Sequence, residues 1–587
     1  MSEERDQRSV SRRGSGRWNR RQVLAALAAA GIGSAVFRRA LAWQTENAPS
    51  VTAEMIRQAE WIAGLELTDE EREATAGAVN SILEDFAAMR AVDVSYEVPP
   101  ALLFDPTVGV SQLAREAASA GNSASANTRQ PNIAAAQAST NRAIVEPMEW
   151  SAGPRPDSSL DLAFLPVTEL AALLRSRQVS SVELTRLYLE RLRRLDPTLH
   201  CVVTLTEELA IRQAERADRE IGAGQYRGPL HGVPWGAKDL IAVAGYPTTW
   251  GATPFREQTL DDTATVARRL EQAGTVLVAK LSLGALAWGD QWFGGMTRNP
   301  WRPEQGSSGS SAGSASATSA GLVGFALGSE TLGSIVSPSR RCGTTGLRPT
   351  FGRVSRHGCM TLAWSMDKIG PMARSVEDCA IVFAAIQGPD GLDGTVHDQP
   401  FAWPWRTSLG TLRVGYFPAE GEPDEREELQ VLRSLGVKLV PLRPPTDLPV
   451  DAMTIILNTE AATVFDTITR EKNFADLNRW PNAFRQGQFV PAVEYLRANR
   501  LRTMLIRDMD TMMGRVDMYV GGNDLAITNL TGHPCVTMPG GFVTVDGRAS
   551  PRNVTLTGRL FGEASLLAVA HGYQRATGYH LRKPPLE

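Results

Sequence analysis

Cysteine and histidine are scarce in this sequence, and neither is spaced as a structural or metal-binding framework requires. The 587 residues contain five cysteines, with no C-x-x-C pair and no cysteine–histidine group at zinc-ligand spacing. The seven histidines form no H-E-x-x-H or H-x-H group. We therefore expect neither a disulfide framework nor a metal site.

The chain also lacks an excess of positive charge. Its 61 lysines and arginines are outnumbered by 64 aspartates and glutamates, which gives a formal net charge of −3 at pH 7. A protein that binds nucleic acid or an anionic membrane surface usually carries a basic excess that neutralises phosphates. The composition therefore predicts a small molecule as the partner, and no nucleic acid.

The apolar run near the N terminus is too short to span a bilayer. Residues 23–36 would form a helix of about 21 Å, against a hydrocarbon core of about 30 Å. Basic residues precede the run, including Arg20-Arg21-Gln-Val-Leu24, which resembles the twin-arginine export motif, and Ala40-Leu41-Ala42 follows it. We predict a twin-arginine-type signal peptide over residues 1–42, a periplasmic or otherwise exported protein, and no stable membrane insertion after cleavage. A basic amphipathic tail or an uncleaved anchor is the alternative.

The rest of the chain divides into three parts. Residues 43–106 carry apolar residues at helical spacing, interrupted by a cap signal at residues 67–71, and predict a helical extension. Residues 107–158 are rich in Ala, Ser, Asn and Gln and predict a low-complexity linker. From residue 159 to 587, helical patterns alternate with short β-branched strands, as in a helix at 262–273, a stop at Gly274 and a strand at 275–279. This alternation predicts an α/β fold whose sheet is covered by helices on both faces.

Residues 306–334 hold nine serines and many glycines within an otherwise apolar, periodic sequence. Small residues this dense indicate close backbone approach and exposed amide groups, as an anion or oxyanion site requires. A P-loop is excluded because no Lys or Arg lies between Arg302 and Arg340. A hydrolase nucleophile elbow matches Gly309-Ser-Ser311-Ala-Gly313 literally. It is disfavoured because residues 303–308 look like a turn rather than the strand that the motif requires.

A third interpretation rests on six ordered blocks, which resemble the motifs of the amidase signature family over residues 160–580. The resemblance implies that family's fold, with a mixed central sheet, and an amidase as the activity. The blocks are His231-Gly-Val-Pro-Trp-Gly-Ala-Lys238-Asp, Gly309-Ser310-Ser311-Ala-Gly-Ser-Ala, Gly328-Ser-Glu-Thr-Leu-Gly-Ser334-Ile, Cys342-Gly-Thr-Thr-Gly-Leu-Arg-Pro-Thr350-Phe-Gly-Arg-Val-Ser355, Met366-Asp-Lys-Ile-Gly-Pro-Met-Ala-Arg-Ser375 and Asn529-Leu-Thr-Gly-His-Pro534.

The resemblance also implies a catalytic set, which matches Lys238, Ser310 in a cis peptide, and Ser334 as the nucleophile. A neutral lysine would take the proton of Ser334 through Ser310, and no cofactor is needed. Lowering a lysine pKa from about 10.4 to near 7 costs about 4–5 kcal/mol, which burial must supply. A salt bridge from Lys238 to Asp239, or to a carboxylate elsewhere, is the alternative for this lysine.

By the same analogy, backbone N–H groups of Thr331, Leu332, Gly333 and Ser334 would bind the oxyanion. The sequence departs from the family close to this loop. The family usually has Gly where Leu332, Ser308 and Ala312 stand, and Arg where Val336 stands. A leucine forced to a positive φ would be strained by about 1–2 kcal/mol.

We therefore predict an amidohydrolase that acts on small carboxamides, aryl or fatty amides, with esters as side substrates. The glutaminase subunit of a tRNA-dependent amidotransferase is one alternative, against which the predicted signal peptide argues. A binding protein that kept the fold without catalysis is another, favoured only by Leu332 and Val336. We expect the pocket walls to come from residues 454–520, and we allow a homodimer as the oligomeric state.

Overall fold

The computed structural model describes residues 50–94, 98, 100–102, 144–145, 153–418, 426–445 and 447–586. The predicted signal peptide and most of the predicted linker lie outside these residues. The chain forms two compact units, residues 1–84 and 85–587. No helix in the described ranges combines the length and apolar character that crossing a bilayer requires.

The first unit contains helix α1 (Ala53–Ala63) and most of helix α2 (Asp69–Ala91), which continues into the second unit. Helix α1 begins after Thr52, whose side chain accepts a hydrogen bond from the N–H of Met55. Before α2, the N–H of Thr68 donates to Glu71 and the N–H of Glu71 donates to the Thr68 hydroxyl. This reciprocal capping box lies where the sequence predicted a break between two helical stretches.

The second unit holds fifteen further described α-helices. They are α3 (Ser159–Ala163), α4 (Val167–Arg175), α5 (Ser181–Leu199), α6 (Glu207–Gly222), α7 (Thr265–Gln272), α8 (Ala312–Ser319), α9 (Val336–Cys342), α10 (Val376–Ile386), α11 (Glu427–Ser434), α12 (Ile455–Val464), α13 (Asp466–Arg470), α14 (Trp480–Gly487), α15 (Ala492–Met513), α16 (Leu525–Leu530) and α17 (Glu563–Thr577). Short 3₁₀ turns occupy Thr253–Phe255, Ala285–Ala287, Leu409–Thr411, Ala452–Thr454 and Tyr579–Leu581.

Strands alternate with these helices. They are β1 (Ile144–Val145), β2 (Val202–Leu205), β3 (Pro234–Lys238), β4 (Val276–Leu281), β5 (Gln291–Trp292), β6 (Gly295–Met296), β7 (Arg298–Asn299), β8 (Arg302–Gly306), β9 (Phe325–Glu330), β10 (Thr345–Arg348), β11 (Lys368–Ala373), β12 (Ala402–Trp403), β13 (Arg413–Tyr416), β14 (Lys438–Pro441), β15 (Met518–Gly521), β16 (Cys535–Val545) and β17 (Arg548–Gly558).

Eleven of the described strands form one sheet in the order β14-β13-β15-β17-β16-β10-β11-β9-β3-β4-β2. Strand β3 pairs in parallel with β4 and β9, whereas β9 pairs antiparallel with β11. The sheet is therefore mixed and flanked by helices, as predicted. Strand β1, inside the predicted linker, pairs in parallel with β12.

The parallel pairing of β3 and β9 positions the site. Ala237 lies opposite Leu327, so Lys238, the last residue of β3, lies beside the end of β9. Parallel strands end at the same edge of a sheet, where ligands are usually bound. We therefore expect the reaction to take place at the carboxyl ends of β3 and β9, where Lys238 and Ser329 lie.

One local prediction was wrong. Residues 302–306 form strand β8, which pairs antiparallel with β7, rather than a turn. The nucleophile elbow nevertheless does not form, because β8 lies outside the eleven-stranded sheet and Ser311, the central residue of the motif, is fully buried. An elbow serine must instead be exposed at the top of the sheet.

Candidate active site

Lys238 lies at the centre of a cluster of serine oxygens. Its side chain is fully buried. The Nζ atom donates to Ser310 Oγ at 2.8 Å, to Ser329 Oγ at 2.9 Å and to Ser311 Oγ at 3.1 Å, and it lies 3.3 Å from the carbonyl oxygen of Ser329. Two of the three residues predicted for catalysis, Lys238 and Ser310, are therefore in direct contact.

Asp239 is occupied by a different lysine. Its Oδ1 lies 2.6 Å from Lys280 Nζ, and both side chains are fully buried. Its Oδ2 accepts from the backbone N–H and the hydroxyl of Thr249. The alternative of a Lys238–Asp239 salt bridge is therefore wrong, and Lys238 has no carboxylate partner in the part of the chain that the structure describes.

Burial without a carboxylate partner changes the protonation of Lys238. Desolvation disfavours the charged ammonium and lowers the pKa of Lys238 to about 7, while the nearby charges of Asp367 and Glu330 act in the opposite direction. The net direction is the one that a neutral base requires. Near pH 7 a large fraction of Lys238 is therefore a free amine.

Ser310 lies in a tightly constrained turn of backbone. The Gly309–Ser310 peptide is cis, and a Cβ added at Gly309 would lie 1.8 Å from the carbonyl oxygen of Gly289, so only glycine fits. Ser308 has a φ of 61°, in the left-handed region, and its N–H donates to Asp290 Oδ2 at 2.8 Å. The departure from glycine at Ser308 thus falls at a position where a side chain is strained.

Ser334 is held beside this turn by the backbone. The N–H of Ser311 donates to the carbonyl oxygen of Ser334 at 3.1 Å. Ser334 is half-buried and lines a cavity that Gly309 also lines. Gly333 has a φ of 87°, whereas Leu332 lies outside the left-handed region. The strain considered for Leu332 therefore does not arise.

A buried carboxylate fixes the chain that follows Ser334. Glu330 Oε2 accepts from the N–H groups of Ile335 at 2.8 Å and Val336 at 2.9 Å. Its Oε1 accepts from Arg348 Nη1 at 2.6 Å and from Asn529 Nδ2 at 2.8 Å. Hydrogen bonds and the Arg348 charge outweigh burial and lower the pKa of Glu330 to about 2.

Glu330, Arg348 and Asn529 all lie in the quoted blocks, but their roles were not predicted from the sequence. Glu330 could have been noticed as an acidic residue inside a segment of small residues. A carboxylate buried in such a segment needs a cation as its partner. Arg348 supplies that cation. The side chain of Val336, where the family usually has Arg, is itself buried.

The loop from Thr331 to Ser334 contains backbone N–H groups that can donate to a ligand. Among the described residues, no acceptor bonds the N–H groups of Leu332, Gly333 or Ser334. Thr331 Oγ1 donates to Asp367 Oδ1 at 2.6 Å. The loop is thus fixed at Thr331 while three consecutive N–H groups stay available, as an oxyanion site requires.

A cavity of about 350 Å³ opens at this loop. Its lining combines the loop with five other segments of the chain. The lining residues are Ala287, Trp288, Gly289, Gly309, Thr331, Leu332, Ser334, Leu362, Thr454, Leu457, Asn458 and Trp480. Four of them fall in the 454–520 range expected to form the walls, and the others come from earlier loops.

Comparisons with known proteins match this chain to amidases and to amidotransferase subunits. A family model described as Amidase matches residues 183–523. A glutamyl-tRNA(Gln) amidotransferase subunit from Moorella thermoacetica is 32% identical over 490 residues, which cover 73% of this chain and 99% of that protein. The same subunit of Pseudomonas syringae pv. tomato is 35% identical over 483 residues, with 72% and 99% covered.

A solved structure extends the comparison to the fold. The native peptide amidase from Stenotrophomonas maltophilia superposes with a TM-score of 0.62 at 28% identity, covering 72% of this chain and 98% of that one. The residues that the family model matches include Lys238 and the Gly/Ser segment 306–334. The chain therefore belongs to the amidase signature family, as an enzyme that hydrolyses amides.

Proposed function

We propose that this protein is a serine amidohydrolase in which Ser334 is the nucleophile, Ser310 the bridge and Lys238 the base. The observation that carries the proposal is the contact of a buried, low-pKa Lys238 with Ser310 Oγ. The backbone bond from Ser311 to Ser334 supports it, because it keeps Ser334 beside Ser310. A hydroxyl needs such a base because it is a weak nucleophile at neutral pH.

The reaction would proceed in two halves. Neutral Lys238 takes the proton of Ser310 as Ser310 takes that of Ser334, and Ser334 Oγ bonds to the amide carbonyl carbon. The N–H groups of residues 331–334 receive the oxyanion, and removing one such donor typically costs about 10²–10³ in rate. The proton returns through Ser310 to the leaving nitrogen, the C–N bond breaks, and water then hydrolyses the acyl-Ser334.

The same acyl-enzyme would form from an ester, so esterase side activity belongs to the proposal. Linear carboxamides are the proposed main substrates. The departures from the family pattern do not argue for a non-catalytic binding protein. Leu332 takes a φ outside the left-handed region, so it is not strained. Val336 stands where the family usually has an arginine, but Arg348 still supplies a buried positive charge next to Glu330.

A second candidate is the glutaminase subunit of a tRNA-dependent amidotransferase, favoured by the two amidotransferase relatives at 32% and 35% identity. The N-terminal arginine motif argues against it, and we propose export as the location. Glutamine hydrolysis that requires added amidotransferase partner proteins would favour this candidate. Cell fractionation of the full chain against an Arg20→Lys, Arg21→Lys double variant tests export, because the variant should stay inside the cell.

Covalent labelling tests the leading proposal. We expect a fluorophosphonate probe to add once to the full chain, at Ser334 by peptide mass, and not to Ser334→Ala. A panel of amides and esters with varied acyl groups should yield substrates that the wild-type protein hydrolyses and the variant does not. A wild-type protein that is both unlabelled and inert across the panel would sink the proposal.

The proposed base predicts a pH dependence with a definite sign. Only neutral Lys238 can accept a proton, and its pKa is lowered to about 7. We expect kcat/KM to rise about tenfold per pH unit below this value and to level off above it. A thermal unfolding midpoint measured at each pH controls for loss of fold. A flat or falling profile between about pH 5 and 8 would contradict the role of Lys238.

A further inference from the structure

The cavity beside Ser334 has an apolar wall with two exposed hydrophobic side chains. Trp288 is 39% exposed and Leu332 is 37% exposed, and both line the cavity. Leu362 and Leu457 line the same cavity and are nearly buried. Apolar side chains that meet solvent together in one cavity typically mark a ligand-binding surface, and these lie next to the proposed nucleophile.

The aromatic part of the wall is held in place. Trp480 is fully buried and its Nε1 donates to the carbonyl oxygen of Ala285 at 2.9 Å. Its ring stacks on Phe484 at 4.9 Å and meets Trp288 edge to face at 4.8 Å. An aromatic surface fixed in this way can receive an apolar group with little ordering cost on binding.

Among the described residues, no charged side chain lines this cavity. Its twelve lining residues include no Asp, Glu, Lys, Arg or His. The ionisable groups nearby have partners elsewhere: Lys238 bonds serine oxygens, Asp367 bonds Thr331, and Glu330 bonds Arg348. A carboxylate or ammonium on the substrate would lose water there without gaining a partner, which is costly.

The size of the cavity suits one ring and a short chain. An apolar cavity of about 150 Å³ is enough to hold benzene. The 350 Å³ measured here leaves room for the ring, two or three further carbons and the reacting amide. Asn458 and Thr454 are the remaining polar side chains of the lining, apart from Thr331 and Ser334 of the loop.

We infer that this cavity selects amides of uncharged, apolar carboxylic acids, with an aromatic ring in the acyl group held against Trp288 and Leu332, and with Trp480 packed behind Trp288. The inference rests on the proposed function, since it names the substrate class of that site. The acyl group is assigned because it stays bonded to Ser334, which shares the cavity with these three residues, while the leaving amine departs after the first half-reaction.

Kinetics of primary amides on the full chain test the selection. Burying a phenyl group should raise kcat/KM for 3-phenylpropionamide over acetamide by about 10- to 150-fold, and glutamine should be hydrolysed no faster than acetamide. N-benzylacetamide is an isomer of 3-phenylpropionamide that carries the ring on the leaving group. Its kcat/KM should be lower than that of 3-phenylpropionamide. Glutamine equalling the phenyl amide, or a preference for N-benzylacetamide, would overturn the inference.

Variants of the wall sharpen the test. Trp288→Ala and Leu332→Ala should each lower the ratio of kcat/KM for 3-phenylpropionamide to that for acetamide by about fivefold or more. Trp61→Ala is the matched control, because Trp61 is 74% exposed and lies in the first unit, and it should leave the ratio unchanged. Wall variants that keep the wild-type ratio would count against the inference.

A binding arm separates this inference from the proposed function. Calorimetry with Ser334→Ala should detect 3-phenylpropionamide more tightly bound than acetamide or glutamine, whether or not hydrolysis occurs. Selective binding with an inert, unlabelled wild type would support the substrate class and refute the Ser334 chemistry. Hydrolysis and labelling without selective binding or selective kinetics would leave the chemistry standing and refute the substrate class.

Discussion

Replacing Ser334 with alanine is expected to lower kcat/KM for any hydrolysed amide by about 10⁴- to 10⁶-fold, the range found when single members of an acyl-transfer triad are removed. The hydroxyl is the atom that bonds the carbonyl carbon, and the other serines nearby are engaged with Lys238 or with the backbone of Ser329. Steady-state kinetics over a wide range of enzyme concentration measures the loss.

A matched serine controls for local disturbance. Ser337 lies three residues further along, in α9, and is half-buried like Ser334. Ser337→Ala should change kcat/KM by no more than about threefold, as is usual for a substitution away from the reacting atoms. Equal losses in Ser337→Ala and Ser334→Ala would mean that the loop, and not the hydroxyl, is what matters.

A double variant tests whether Lys238 and Ser334 act on the same proton path. Lys238→Met keeps the length and apolar stem of the side chain but removes the proton acceptor. Its loss should approach that of Ser334→Ala, and the double variant should be little worse than either single variant, because residues that act as a unit are strongly non-additive. Losses that multiply in the double variant would contradict a shared proton path.

Replacing Glu330 with glutamine is expected to destabilise the protein by about 3–5 kcal/mol, because Arg348 would remain buried without its charge partner. Both side chains are fully buried, and the pair is 2.6 Å apart. Activity should also fall, since the N–H groups of Ile335 and Val336 lose a charged acceptor next to Ser334. Denaturant unfolding of wild type and variant measures the difference.

The contribution of Glu330 to the free energy of unfolding depends on pH. The pKa of Glu330 is lowered to about 2 from 4.5. Its contribution is therefore fully present above the unfolded pKa of 4.5 and is lost as pH falls through the folded value of about 2. The difference in free energy of unfolding between wild type and Glu330→Gln should therefore shrink as the pH falls from 4.5 to about 2.

Glu304→Gln is the control, because Glu304 is half-exposed and pairs with the half-exposed Arg548 as well as with Arg302. It should not shift the unfolding midpoint measurably, since exposed ion pairs contribute little. A Glu330→Leu, Arg348→Met double variant should be less destabilised than Glu330→Gln, because no unpaired charge stays buried. A Glu330→Gln protein as stable as Glu304→Gln would show that the buried pair does not hold the fold.

Local signals in the sequence predicted the regular elements well. The helix expected at residues 262–273 is α7, Thr265–Gln272, and the strand expected at 275–279 is β4, Val276–Leu281. Gly274 between them has a φ of 82°, which a side chain would rarely adopt. Such stops are encoded by single residues, so they can be recognised without knowledge of the tertiary fold.

The site was only partly predictable. Composition could not distinguish Ser310 and Ser334 from seven other serines in the same segment, and only the resemblance to known motifs selected them. The contact of Lys238 with Ser310 spans 72 positions, and Ser310 lies in the turn before α8 rather than on a strand paired with β3. Strand β8 was missed because a two-stranded ribbon needs little apolar pattern of its own.

The cavity walls were predicted only in part, by the range 454–520, and the contacts that build them were not predicted. Trp288 and Trp480 are 192 positions apart and share no motif, and they meet through the packing of loops around the 3₁₀ turn Ala285–Ala287. The same holds for Glu330 and Asn529. Contacts of this kind depend on the final arrangement of the whole domain, which short-range periodicity does not encode.

The serine cluster around Lys238 limits the ways in which a neutral lysine can be oriented. The Ser311 hydroxyl donates to the carbonyl oxygen of Ser329, so its oxygen can only accept from Lys238. A neutral amine has two N–H bonds and one lone pair. With one N–H given to Ser311, the second can go to Ser329 Oγ or to the Ser329 carbonyl oxygen, and the lone pair can then accept from the hydroxyl of Ser310, the reverse of the bond that the charged ammonium makes. Deprotonated Lys238 is thus held within reach of the Ser310 proton before any substrate arrives.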